Sequence, residues 1–501
     1  MRFCLSANSK QMSNSTLSRQ LGLMGLIATG VCSMLGASIN VVPFMIQRHV
    51  PGIGPYVLPA FIFAAIPAIL AAIAYSILAT AMPRAGGSYI YASRGLNPYL
   101  GFVASFSQWF GLSIVIGVVA YVTIPFLRDI AVALQWTDLA NALNTGLIRV
   151  ALALLLVWIF VWVNIRGAKS YEKTVIPLMV LMFLMGGVVI IAGFNFSSAD
   201  FAQSVFEKTG QEISTSGMHT FNLSTFLSAG ALLFASFIGF DSIAQAGGEA
   251  KEPTQKLPLA IGLTILIVGG YYMLFTSAVY HTVPWSFVAD QAIQGDITAP
   301  GLLSFLLPSW LTVIIVGGAA VALINDLPAM LLSVSRLMFA WAEDGIFPNR
   351  ITKIHPTFQT PYLAIILSGM MASVGILGSH FAGDFFLGID IMVTSMMVNF
   401  LLICLTLLSI EKVNPQLANE ISIFRGRTKR LLIGFSGTLV LVFFLVIHTL
   451  KDLQSQADAW YFHSTPIWLI VMALASLIFY VKFRAMKKSG VDTHKLFQQL
   501  P

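Results

Sequence analysis

Charge is scarce in this chain. Of its 501 residues, 10% are Asp, Glu, Lys or Arg, against roughly 25% in soluble domains. That composition excludes a soluble enzyme built on a large core. Cysteine is scarcer still: Cys4, Cys32 and Cys404 match neither a metal site nor a redox pair in their spacing. Cys32 and Cys404 fall inside apolar segments and read as packed thiols, so no disulfide, metal or cofactor is expected. The sequence has no His-Glu-x-x-His stretch and no clustered serine–histidine set, which removes the patterns of a membrane-embedded zinc protease or serine hydrolase. The first eighteen residues are polar and Ser/Asn-rich, without the apolar core and small-residue cleavage site of a signal peptide, and read as a loosely ordered tail. Soluble domains and low-complexity tracts are also missing.

Hydrophobic residues make up 57% of the chain. They come in blocks of about twenty, the length needed to cross about 30 Å of hydrocarbon. Hydropathy places spans at approximately 21–46, 56–81, 98–127, 147–165, 174–194, 224–247, 257–281, 309–341, 361–378, 385–410, 430–450 and 465–483. The fold class is thus an all-α integral membrane protein with about twelve transmembrane helices. An even number puts both termini on one side of the bilayer. Of the 28 Lys and Arg residues, 23 fall on that side, and Arg48, Arg128, Arg149, Lys208 and Lys451 on the other. Basic residues are retained in cytoplasmic loops, so both termini are expected in the cytoplasm. The net charge of +7 then reports topology rather than nucleic-acid binding. A plasma membrane, with a bacterial inner membrane favoured, fits the missing signal, and the protein is expected as a monomer or homodimer.

The chain is organised around Ser228–Ser242, an apolar stretch with Gly239 and Asp241 near its middle. In lipid a helix satisfies its own backbone, so an interruption is tolerated only where protein or a cavity supplies partners. An acid at membrane depth marks a functional site by default. A second interruption, Ser33–Ile39, lies in the first span. Two interrupted helices in matching halves point to a transporter's binding site; the plainer reading of either is a kinked structural helix. Asp326 and Asp390 are the other acids at depth. Asp326 reads either as a ligand for a cationic side chain or as an acid held by Asn325 and freed backbone near Pro328. Asp390 is expected to face an aqueous vestibule. Pro43, Pro67, Pro125 and Pro177 read as helix kinks, and Tyr89 and Tyr91 as interface aromatics. Glu249, Lys251 and Glu252 read as a salt-bridge cluster that latches one state.

Four segments carry a resemblance: Pro83–Tyr91; Phe234–Asp241 with Gly248–Pro253 and Leu257-Pro258; Ser335–Gly345 with Pro348; and His355–Pro361. In order and spacing, across spans two to nine, the chain resembles the amino acid–polyamine–organocation permease family. The resemblance implies a leucine-transporter-like inverted repeat of five plus five helices, with helices one and six unwound, plus two extra helices. The segments would be a tail 1–20, a first repeat 21–194, an outer loop 195–223, a second repeat 224–410, two added helices over 411–485 and a tail 486–501. It also implies a substrate between the breaks. Amides of Gly36, Ala37 and Ser38, at the start of a half-helix, would take an α-carboxylate, because such a terminus offers unpaired N–H groups and partial positive charge. Carbonyls near Ser33, Ala235 and Ser236 would take the ammonium. Leu35, Phe237, Gly239 and Phe240 complete the expected substrate-binding set, with Asp241 and Asp326 as coupling or gating acids.

The chain departs from the family pattern in three places. The first break ends in Ser38, which either donates a hydroxyl to the ligand or fills space. Ala235 stands where many relatives carry an aromatic cap. Met182 in the fifth span stands where proton-coupled relatives carry a lysine, and Ala329 and Met330 weaken a sodium reading. The expected function is amino acid transport by alternating access, with proton coupling or exchange. The alternatives are a cationic amino acid or polyamine antiporter and a transporter-like nutrient sensor, which a long soluble tail would favour.

Overall fold

Twelve helices in the structure, a computed structural model that describes residues 17–213, 220–382, 385–455 and 459–501, are long and apolar enough to cross a membrane. They are α1 (Leu23–His49), α2 (Gly54–Ala81), α3 (Pro98–Ala133), α4 (Gly146–Ile165), α5 (Ala168–Asn195) and α6 (Leu223–Gln245). They continue with α7 (Pro253–Thr282), α8 (Trp310–Glu343), α9 (Tyr362–Phe381), α10 (Leu387–Val413), α11 (Arg427–Gln454) and α12 (Ser464–Lys488). The N-terminal tail lies outside the described residues as far as residue 16. Each hydropathy span corresponds to one helix. The largest departures are at the ends of α3 and α5, where polar residues continue the backbone pattern past the apolar block.

Burial separates core from rim. The whole apolar window of α1 is buried, against 17% of that of α12. α8 packs on α3, α1 and α5; α10 packs on α3 and α11; α7 packs on α2 and α1. Exposed leucines, tryptophans and phenylalanines cover the outside of α4, α11 and α12, among them Leu155, Trp162, Leu432, Phe435 and Leu474. In water such a belt would be an association surface; at span length it faces lipid.

The four expected proline kinks lie inside helices. In α1 the non-helical dihedral falls instead at Gly36 (φ −43°, ψ −112°). The outer connection after α5 contains a twelve-residue helix, Ser198–Thr209, begun by a reciprocal Ser197–Asp200 cap. That cap holds the Asp200 carboxyl below its usual range, through the Ser197 backbone amide and then its hydroxyl. The connection after α7 carries helices Trp285–Gln294 and Ala299–Leu303.

The segment between α2 and α3 is no interfacial connector. Gly86, left-handed at φ +72°, starts a nine-residue helix, Gly87–Gly95, in which every residue is buried. Tyr89 and Tyr91 are therefore packed inside the protein rather than at the membrane surface. Two aromatics beside two glycines suit tight burial as well as an interface, and composition alone does not separate the two.

Candidate functional site

The interruption in α6 is a change of backbone in three steps. A 3-10 turn, Phe234–Phe237, follows the first half-helix. Ile238 is extended, and Gly239 adopts φ +135° before helix resumes at Asp241. L-residues with a side chain rarely adopt that dihedral. Space adds a second constraint: a Cβ on Gly239 would lie 2.4 Å from the carbonyl oxygen of Ser33 in α1. The two interrupted helices thus touch at backbone level. Asp241 closes the break by accepting from the Gly239 amide (3.1 Å).

The interruption in α1 is narrower than the sequence implies, since helix continues on both sides of Gly36. Its disturbed groups have found partners on other helices. Tyr272 of α7 donates its hydroxyl to the Met34 carbonyl (2.9 Å). The Gly36 amide donates to Asp326 Oδ1 of α8 (3.1 Å). Beside it, Asn325 donates to the Cys32 sulfur, and the Pro328 carbonyl accepts from Asn164. Cys32 and Gly36, four residues apart, share a helix face. That face meets Asn325 and Asp326.

Of the other expected site residues, Ser33, Leu35, Ala235, Ser236, Phe237 and Phe240 are all buried. Among the described residues the hydroxyls of Ser33 and Ser236 have no hydrogen-bond partner. Phe237 packs against Phe61 and Tyr272, and Phe240 against Tyr75 and Phe400, so both rings are engaged in an aromatic cluster. The side chains of Ala37 and Ser38 lie outside the described residues.

Asp241 and Asp326 keep different company. Asp241 Oδ2 accepts from the Gln108 side chain of α3. Gln108 Oε1 accepts from Gln245 (3.2 Å) and from Asn399 of α10 (3.3 Å). Gln245 also donates to Ser88 Oγ (2.7 Å), which shares a hydrogen bond with Tyr75 of α2 (2.6 Å), and Tyr75 accepts from Asn399 (2.7 Å). The network ties the break in α6 to the buried helix Gly87–Gly95. Sequence reasoning missed it, although amides at Gln108 and Asn399 inside apolar spans were a usable signal, because a buried polar group needs a partner.

The two ends of the bundle differ. On the side of the termini, Glu249 accepts from Arg336 Nε (2.8 Å) and Nη2 (2.6 Å), with both residues buried. The expected cluster of Glu249, Lys251 and Glu252 is thereby corrected: Glu249 pairs across to α8, and Glu252 pairs with Lys256. Leu21 and Ala250 form a short parallel bridge beside that pair. A second buried pair joins Arg94 to Asp344 at 2.5 and 2.7 Å. Burial works against the Arg94 charge, but Asp344 and Tyr89 outweigh it and hold the guanidinium above its usual range. The C-terminal segment folds over this pair, with Gln499 O accepting from Arg94 (3.2 Å) and Gln498 O from Asn414 (2.9 Å). At the opposite end a cavity of about 440 Å³ is lined by Val41 and Met45 of α1, Tyr121, Arg149, Asp296 and His380, among others. Among the described residues no three His, Cys, Asp or Glu side chains come together as a metal site would require.

Comparison with known proteins places this arrangement. Residues 21–475 match the family described as amino acid permease. "Cationic amino acid transporter 4" of Mus musculus is 25% identical over 404 residues, 74% of this chain and 58% of its own length. "Cationic amino acid transporter 4, vacuolar" of Arabidopsis thaliana is 26% identical over 365 residues, 71% of this chain and 58% of its own. A branched-chain amino acid permease of Bacillus subtilis is 24% identical over 387 residues, 72% of this chain and 74% of its own. The chain therefore spans less than two thirds of the length of the first two.

Proposed function

The chain belongs to the amino acid permease family, a family of transporters rather than enzymes, and from that premise we propose that it moves amino acids across the plasma membrane by alternating access. The observation that carries the reading is the contact between the two interrupted helices, Gly239 against the Ser33 carbonyl, with buried, unpartnered hydroxyls at Ser33 and Ser236 beside it. A ligand ammonium fits the carbonyls there, and a carboxylate fits the Gly36 amide. In this reading 21–194 and 224–410 are inverted repeats, and 411–485 contributes two added helices. The basic side of the chain, with both termini, faces the cytoplasm of a bacterial cell. In this reading the two buried ion pairs seal the cytoplasmic end, and the cavity lies at the outer end.

A second reading, exchange of cationic amino acids or polyamines, is favoured by the two acids at depth, Asp241 and Asp326, and by two relatives named as cationic amino acid transporters. Uptake of each radiolabelled amino acid and common polyamine into proteoliposomes separates the two, under a proton gradient, a sodium gradient, or internal unlabelled substrate. Gradient-driven uptake of amino acids supports the first reading. Uptake only against internal arginine, lysine or polyamine supports the second. If no amino compound moves, both fall. Asp241 adjoins the break and is hydrogen-bonded into the inner network, which makes it the candidate for proton linkage. Asp241→Asn is expected to flatten the pH dependence of net uptake while exchange between pre-loaded substrates persists. An unchanged pH profile would move coupling elsewhere.

A further inference from the structure

We propose that Asp326 is the resident occupant of the carboxylate position in α1, and that loading the site requires this side chain to leave Gly36. The proposal rests on the reading of Gly36 as donor to the ligand carboxylate. Asp326 Oδ1 takes the Gly36 amide at 3.1 Å. An ideal Cβ on Gly36 would lie 1.6 Å from Oδ2 and 1.9 Å from the carboxyl carbon. The Asp326 carboxyl therefore lies directly against the bare α-carbon of the break. Both residues are buried, Asp326 with 3% of its surface exposed.

A second carboxylate brought to the same amide meets a position already filled by the Asp326 carboxyl, and one backbone N–H does not serve both well. Ligand and Asp326 are thus competitors for one position. The competition acts on α8, because Asp326 is carried by that helix and its neighbour Asn325 is tied to Cys32. Release of Asp326 loosens the hold of α8 on α1 at the moment a ligand arrives. Unpartnered buried atoms on the same elements, Ser33 Oγ and Asn325 Oδ1, are polar groups available to the rearranged site. The penalty falls on ligands that bring a carboxylate and spares amines that lack one.

The test uses the purified full chain and two matched pairs of probes, L-arginine with agmatine and L-leucine with isoamylamine, binding to wild type, Asp326→Asn and Asp326→Ala. Removing the competing carboxyl is expected to tighten the amino acid by about tenfold relative to its carboxylate-free partner, in both variants and in whichever pair the wild type binds. Two variants guard against a folding defect in one, with monodispersity and thermal unfolding as the check. Equal weakening of both members of a pair would overturn the proposal, by showing that Asp326 holds the ligand's ammonium. Unchanged affinities would overturn it as well. Failure of both amino acids to bind any form would instead overturn the reading of the site on which the proposal stands.

Discussion

Gly239→Ala is expected to bring uptake below about a tenth of wild type while leaving the protein folded in the membrane. Two costs act together. A non-glycine residue at φ +135° carries strain of about 1–3 kcal/mol. The added methyl also meets the Ser33 carbonyl oxygen at 2.4 Å and Met34 Cγ at 2.8 Å. The methionine side chain can move aside, but the carbonyl moves only with α1. Relief therefore separates the two interrupted helices at the place where the ligand is proposed to sit. Each 1.4 kcal/mol is tenfold in an equilibrium or a rate, so strain at the lower end already gives most of the loss. Uptake by the variant, normalised to the amount inserted, checks this, and near-wild-type uptake would remove Gly239 from the site.

Arg336→Ala is expected to lower stability by about 3–5 kcal/mol, the cost of leaving a buried partner charge uncompensated. Glu249 is that partner, and its main chain also accepts from the Leu21 amide (2.9 Å). The substitution therefore loosens both the end of α6 and the entry to α1. A double change to Arg336→Leu and Glu249→Leu is expected to recover much of the stability, since replacing a buried pair by apolar groups is often neutral. It is not expected to restore the balance of states if the pair seals one end of the transport path. Thermal unfolding separates the single from the double change. Thiol accessibility at the terminal side then reads the state, and a double variant with wild-type accessibility would make the pair structural only.

What could be read in the sequence was whatever a membrane imposes locally. Span length is fixed by bilayer thickness, so twelve apolar blocks became twelve helices. Gly239 beside Asp241 announced a break because both are costly in a plain membrane helix, and the structure breaks there. In α1 the break is confined to Gly36, and its partners were hidden for a non-local reason: Tyr272 and Asp326, which take the Met34 carbonyl and the Gly36 amide, are distant in sequence. The same limitation hid the partner of Glu249, which lies 87 positions away on α8. Pairings of that kind follow from packing, and a lysine two residues along the chain was the nearer but wrong candidate. Gln108 and Asn399 were legible as unusual residues, but nothing local told that they would bond each other, with Gln108 reaching Asp241 and Asn399 reaching Tyr75.

Substrate is proposed to bind between the interruptions in α1 and α6. The most direct measurement is an experimental structure of the full chain with a transported amino acid bound. Ligand density is expected between Ser33–Gly36 and Ala235–Gly239, its ammonium at the carbonyls of the first half-helices and its carboxylate at the Gly36 amide, with Asp326 moved away. Density confined to the cavity of Tyr121, Arg149 and His380, with Asp326 still on Gly36, would contradict it.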